Sequence, residues 1–460
     1  MIKYLGLFVF FFLTLNAQAQ SSNNLEATVD SIYKESLTNG QAYSYLTYLC
    51  KNIGARFSGT PKAEEAVDYT ANCFKDIGCS SVMKQQCMVP NWNRGANERA
   101  AVIIDQKTTE LQVTALGGSV GTPQGGLVAD VIEITHFGQL EQIGKAEIEG
   151  KIVFYNRPMN PAFINTFAAY SSSVNYRWAG ASKASEYGAI ATLTRSLSLS
   201  QNDFPHTGSM AYLEGSPKIP AFAISTNNAN FISSSLQEGK EVQGFLHSQA
   251  KTLEDTLSHN VIAEMKGSEH PDKIILIGGH LDSWDLGEGA HDDGAGSAQC
   301  IEAFRLLKAV GYTPKHTLRS VLFMNEENGL AGAKVYADSS QQQKLNHIYA
   351  IESDRGGFRP LGFDFDGDSL HIETIKSIAQ PLLEKYGLYS FTEGGTGADI
   401  SQIKSDDILL VGLKIDTQRY FDFHHAATDT LESVNYRELE MGAAALASLI
   451  VILDQLEGTY

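Results

Sequence analysis

Positive charge is what this chain most lacks. Its 460 residues hold 35 Lys and Arg against 53 Asp and Glu, a formal net charge of −18. A nucleic-acid binder needs a basic face, and so does a polybasic binder of membrane surfaces, so the composition argues against both. Cysteine is also scarce. The five, Cys50, Cys73, Cys79, Cys87 and Cys300, are an odd number with no CxxC pair. Disulfides between Cys73 and Cys79 or between Cys79 and Cys87 are open to an exported chain, but at least one thiol is left over. A thiolate zinc site is disfavoured, and a chain of this size needs no covalent staples, so buried free thiols are expected. Repeats and low-complexity tracts are absent. What is present is apolar: 43% hydrophobic and 10% aromatic residues are too many for a disordered chain, and the length suits two or three domains.

The first residues, MIKYLGLFVFFFLTLNAQAQ, combine Lys3, an apolar run from Leu5 to Leu15 and a small-x-small site at Ala17-Gln18-Ala19. This is the pattern of an export signal cut after Ala19; the run is too short to span a bilayer. No Cys follows the cut, so no lipid anchor is expected. No later stretch reads as a membrane span either, since Ala443 to Leu453 sits in a helical pattern and suits a core helix. The mature chain is expected in the periplasm or outside the cell, with no stable membrane anchor.

Beyond the signal (1–19) the texture divides the chain into three. Residues 20–98 open with helical patterns up to Gly78, in which Pro61 suits a first helical turn. Residues 99–250 carry short β-rich runs punctuated by Gly and Pro, such as GLVADVIEIT and GKIVFYN. In residues 251–460, apolar runs (KIILIGGH, RSVLFMN, HIYAIESD, ILLVGLKID) alternate with helical patterns. That alternation predicts an α/β fold with a mostly parallel sheet covered by helices, formed by the two ends of the chain and interrupted by a β-rich insert.

In such sheets functional groups collect beyond the carboxyl ends of the strands, and here those ends carry metal-type ligands. KIILI runs into Gly278-Gly279-His280-Leu281-Asp282, then a glycine-rich loop with His291-Asp292-Asp293. SVLFM ends in Asn325-Glu326-Glu327 and IYAI in Glu352-Ser353-Asp354, and late in the chain comes Phe423-His424-His425-Ala426-Ala427-Thr428-Asp429. Taken singly, each has an ordinary explanation: a surface pair, a helix start, a turn. Together they point to one crevice. Imidazole and carboxylate without thiolate suit catalytic zinc, and two His with three carboxylates suffice for two ions if one carboxylate bridges. Of two adjacent glutamates, one can bind metal while the other serves as general base. Asp282 is placed to orient the His280 imidazole, and Asp429 to do the same for His425.

The series GGHLDS, GAHDDGAG, NEENGLAG, ESD and HHAATDT resembles the M28 family of co-catalytic zinc peptidases. ARFSGTP, VPNWNRG, ALGGSVGTP, SEYGAIATLTRS, PHTG and GGTGADIS resemble its carboxypeptidase Q type, in which a protease-associated domain is inserted into the catalytic domain. The likeness spans nearly the whole mature chain and implies an exopeptidase with two zinc ions. His280 and Asp354 would bind one ion, Glu327 and His425 the other, and Asp292 would bridge; the sequence leaves the labels of Asp354 and Glu327 open. The family pattern selects Asp292 over Asp293 and His425 over His424, and leaves His291 outside the ligand set. Glu326 would take a proton from a metal-bridging water and return it to the leaving amine. Dipeptides or short peptides with free termini are the implied substrates, and a homodimer the implied assembly. Asp399 and Gly395, in a glycine-rich loop, and His424 are candidate substrate contacts, although Asp399 reads equally as a helix N-cap. Tyr176 and Arg177 would reach the site only if the insert folds over it. Competing readings are a broad aminopeptidase of the same family, a receptor-like relative without metals, which would have no use for Glu326, and a single-zinc glutaminyl-cyclase-like acyltransferase, which would have no use for the bridging Asp292.

Overall fold

The computed structural model describes residues 24–456; the export segment expected at 1–19 lies outside them. Two eight-stranded sheets organise the chain. The first runs in the order Ser81–Val89, Thr256–Met265, His316–Phe323, His270–His280, Asn346–Glu352, Leu409–Ile415, Pro360–Asp366, Ser390–Glu393. Its centre is parallel: His270–His280 pairs in parallel with both His316–Phe323 and Asn346–Glu352, and the latter with Leu409–Ile415. These are the apolar runs that the alternating pattern marks as strands. Ser81–Val89 adds an antiparallel edge along Thr256–Met265, a strand within residues 20–98 that follows the helical patterns ending at Gly78. Its alternation is masked because Met83 and Met88, which are about half exposed, fall on opposite faces of the strand.

Helices cover this sheet. Pro61–Ile77 starts on Thr60, whose side chain accepts the Ala63 N–H, and stops at Gly78 with φ +80°, the left-handed stop that glycine allows without strain. Tyr436–Leu456 is long and apolar enough to cross a membrane by composition, yet 89% of its apolar window is buried. It packs on Ala295–Ala309 and is a core helix. All five cysteines are unbonded; four are buried and Cys79 is half-buried.

The second sheet is formed by residues 99–247. Four central strands, Leu127–Ile134, Ile152–Tyr155, Ala191–Arg195 and Ala221–Ile224, are parallel, and several short helices lie between them, among them Thr166–Ser171, Val174–Trp178 and Gly180–Glu186. The β-rich texture gave no sign of these helices, which are too short for periodicity to show. An aromatic cluster of Phe57, Trp92 and Trp284 joins the two bodies. Gly117 lies against it, and a Cβ there would sit 1.9 Å from the Trp284 ring. Beside it Arg94 donates to both carboxylate oxygens of Asp285 (2.8 and 2.6 Å) and to Thr114, binding the second sheet to the loop that follows His280.

Candidate metal centre

Three strand ends and two loops converge beyond the parallel strands. His280 is the last residue of its strand. Asp292 lies in the turn Ala290–Gly294, which feeds the helix Ala295–Ala309. Asp292 meets two imidazoles with its two oxygens: Oδ1 is 3.2 Å from His280 Nε2, and Oδ2 is 3.3 Å from His425 Nε2. Asp354 Oδ1 stands 3.4 Å from His280 Nε2, and Glu327 Oε2 stands 3.1 Å from His425 Nε2. The pattern is two half-sites that share one carboxylate. His424 stacks on His425 with ring centres 3.5 Å apart, and its Nε2 is 3.8 Å from Asp292 Oδ2. His424, His425 and Asp292 thus form one group able to hold a cation, and His280, Asp292 and Asp354 another.

Three buried carboxylates hold the backbone that carries these side chains. Asp282 accepts the N–H groups of Asn325 (2.7 Å) and Glu326 (3.1 Å). Asp293 accepts those of His280 (3.1 Å) and Gly296 (3.0 Å), while Asp429 accepts those of His291 (2.7 Å) and Asp292 (3.1 Å). Asp429 was expected to orient His425, and the structure corrects this: its carboxylate is spent on the backbone of the turn bearing Asp292. Asp282 differs from expectation in part. The His280 Nδ1 is held at 2.9 Å by the Asp282 backbone carbonyl, with the carboxylate oxygen 3.8 Å away. A donor N–H at Nδ1 leaves the Nε2 lone pair facing Asp292 and Asp354. Gly279 and Gly296 make room: a Cβ on either would come within 2.6 Å of the Asp293 carboxylate.

His425 is held from the insert. Its Nδ1 is 3.3 Å from the Thr207 carbonyl, and its own carbonyl accepts the Thr207 N–H at 2.9 Å. His206 Nδ1 meets the His424 carbonyl at 2.7 Å, and Ser209 donates to the Glu327 carbonyl. The PHTG motif is therefore a strap across both histidines. The sequence displayed the motif but nothing of its position.

The electrostatics are those of a cation site. Burial opposes charge on both imidazoles, yet Asp354 and Asp292 hold His280 well above its ordinary value, and Glu327 with Asp292 hold His425 up at about 9. Burial pushes Glu327 up to about 7, helped by the charge of Asp292. Asp292 Oδ2 and Glu327 Oε1 are buried without a hydrogen-bond partner, a costly state unless a cation completes them. The donors are nitrogen and oxygen only. The residues therefore fit zinc.

A cavity of ≈ 240 Å³ opens on these groups, walled by Asp292, Glu326, Glu327, Asp354, His424 and His425 on one side and Phe167, Tyr170, Arg177 and Ser209 of the insert on the other. Glu326 is half-buried on this wall. Burial, with Asp354, Glu327 and Asp292 adding to it against His280, holds its carboxyl well above the ordinary range. Asp399 and Gly395 do not reach this wall. Asp399 is 1% exposed and lies beneath the site near Glu352, which raises its pKa further beyond the effect of burial. Gly395 lines a neighbouring cavity with Arg355 and Lys414. Tyr176 packs on Phe137 and Tyr155 inside the insert, whereas Arg177 faces the site. His291 stacks on Phe358, accepts the Gly357 N–H and stays outside the cluster.

Residues 260–450 match the model of the family described as Peptidase family M28. Carboxypeptidase Q of Bos taurus is 34% identical over 420 residues, covering 91% of this chain and 86% of its own length. The solved peptidase M28 precursor of Shewanella amazonensis SB2B superposes with a TM-score of 0.89 at 31% identity, covering 94% of this chain and 97% of that one. The zinc aminopeptidase of Bacillus subtilis shares the fold, with a TM-score of 0.63 at 18% identity over 90% of this chain and 94% of its own.

Proposed function

This chain belongs to peptidase family M28, and on that premise we propose that it is an exported zinc exopeptidase hydrolysing dipeptides or short peptides with free termini. One observation carries the reading: Asp292 faces His280 with one oxygen and His425 with the other, beside a glutamate that is not part of either group. His280, Asp292 and Asp354 would hold one zinc ion, and Asp292, Glu327 and His425 a second. Bound zinc supplies Lewis acidity and makes a water more acidic.

The chain's own residues do the rest. Glu326 stands on the cavity wall with its carboxyl tuned towards proton uptake; it takes the proton of the attacking water and passes it to the leaving amine. Asp282 fixes the Glu326 backbone and so the reach of that carboxylate. Phe167, Tyr170 and Tyr420 line the cavity with aromatic surface. Its ≈ 240 Å³ is small for a ligand site and favours short substrates.

The test is a panel of free dipeptides, N-blocked dipeptides and aminoacyl-anilides, assayed before and after chelator dialysis and zinc restoration. Cleavage of free dipeptides that is lost with chelator and returns with zinc is expected. Preferred cleavage of anilides would replace the dipeptidase reading with a broad aminopeptidase, and no cleavage by zinc-loaded protein would overturn the peptidase reading. Export is tested separately: the mature N-terminus should begin at Gln20.

A further inference from the structure

His425 sits at the corner of a turn that its residue type does not favour. The Ala426 N–H donates to the Phe423 carbonyl at 3.0 Å, and the two corner residues have φ −44° and ψ 118° at His424 and φ +62° at His425. This is a type II turn, whose second corner needs a positive φ and is ordinarily glycine or asparagine. A type I turn would suit a histidine better, because its second corner has φ about −90°. The two types differ chiefly by a flip of the peptide between the corners, and that peptide carries the His424 carbonyl. Flipped, the turn would aim the His425 ring away from Asp292 and Glu327, which its Nε2 now meets at 3.3 and 3.1 Å.

His206 of the insert holds that carbonyl. Its Nδ1 lies 2.7 Å from the His424 oxygen, and since a carbonyl only accepts, Nδ1 carries the proton. Beside it the Thr207 N–H donates to the His425 carbonyl at 2.9 Å, and His206 forms an antiparallel bridge with Ala426. His206 is itself anchored in the insert. Its backbone N–H donates to the Ser196 hydroxyl at 2.8 Å, which donates at 2.7 Å to the carbonyl of Ile224, the end of the strand Ala221–Ile224. The residue is 2% exposed and its Nε2 is buried without a hydrogen-bond partner. An apolar side chain would fill the space without the cost of an unmet nitrogen, so what the imidazole adds is its one bond to His424. We infer that His206 is a positioning residue: it keeps the central peptide of the turn in its type II orientation and so aims His425 at the second metal ion. The inference rests on the two-ion reading above and adds that the insert sets one of the two sites. His280 and Asp354, which belong to the other ion, stand at strand ends of the first sheet and do not depend on this turn.

The experiment compares wild type with His206→Asn and His206→Leu, two side chains of one shape of which only asparagine offers a donor in place of Nδ1. After chelator dialysis the full chain is titrated with zinc against a chromogenic chelator, and with cobalt followed by its visible absorption. Wild type should take up two ions. His206→Leu should bind one as wild type does and the other about 10- to 100-fold more weakly, with the cobalt absorption of that step lost or shifted. His206→Asn should stay close to wild type in both steps. Two unchanged steps in His206→Leu would overturn the inference and leave the two-ion reading standing. So would equal weakening of both steps, or a His206→Asn protein as impaired as His206→Leu, because each would report a general disturbance of the fold. If circular dichroism shows His206→Leu to be unfolded, His206→Asn decides: two wild-type steps uphold the inference and a weakened step overturns it. Fewer than two ions in wild type would overturn the two-ion reading and this inference with it.

Discussion

Glu326 and Glu327 are chain neighbours placed differently in the site. Glu327 is turned onto His425, whereas Glu326 faces the cavity with only its backbone N–H tied, to Asp282. Substitution should separate them. Glu326→Gln is expected to lower kcat by about 10²–10⁴-fold while zinc content, measured by atomic absorption, stays at wild-type level; Glu327→Gln should lose zinc as well as activity. Asp429→Ala frees the N–H groups of His291 and Asp292 without removing a ligand, so zinc should bind about 10- to 100-fold more weakly, as measured by competition with a chromogenic chelator. The metal-type residues were legible because each follows an apolar strand, where a polar cluster stands out. The partner of Asp429 was not. Nearness in sequence suggested the His425 ring, but a buried carboxylate gains more from two backbone N–H groups, and those lie 137 and 138 residues away. Nor could the Thr207 contact be read, since it joins residues 218 positions apart.

Among the elements, the loop between the strand end at His280 and the turn at Asp292 depends on one side chain from the N-terminal segment. Arg56 is wholly buried, and its guanidinium donates to the carbonyls of Leu281, Glu288 and Gly289 at 2.7 to 2.8 Å. Arg56→Met leaves these three carbonyls, two of them buried, without those donors. A loss of about 3 kcal/mol or more is expected in denaturant unfolding, together with weaker zinc binding. ARFSGTP was readable as a loop, but not as the brace of another loop. The central strands were legible because burial on both faces makes them continuously apolar. The edge strand Ser81–Val89 was not, because one of its faces is open, and the insert's short helices are fixed by packing rather than by their own sequence.

For the molecule as a whole, stability should change with pH through histidines buried neutral. His347 meets the Tyr336 hydroxyl at 2.7 Å, and burial, with Arg319 nearby, holds its imidazole down at about 4. An unfolded histidine titrates near about 6.5. Between those values the unfolded chain takes up a proton that the folded one refuses, so acidification removes stability by about 1.4 kcal/mol per pH unit for this group. Above about pH 6.5 the contribution is complete. The unfolding free-energy difference between wild type and His347→Gln, followed from pH 7 to pH 4.5, should shrink with that slope; a pH-independent difference would refute the assignment. The two sheets are also bound into one unit at the metal centre, through the strap from His206 to Ser209. Gly208→Val should therefore impair zinc retention from a position that carries no ligand, because its side chain would displace both Arg177 and His425. The unbonded state of all five cysteines has a practical corollary. Maturation of this fold requires no oxidant, so protein made in a reducing cytosol should melt at the same temperature as protein recovered from an oxidising compartment, and dithiothreitol should leave that temperature unmoved in the metal-free form.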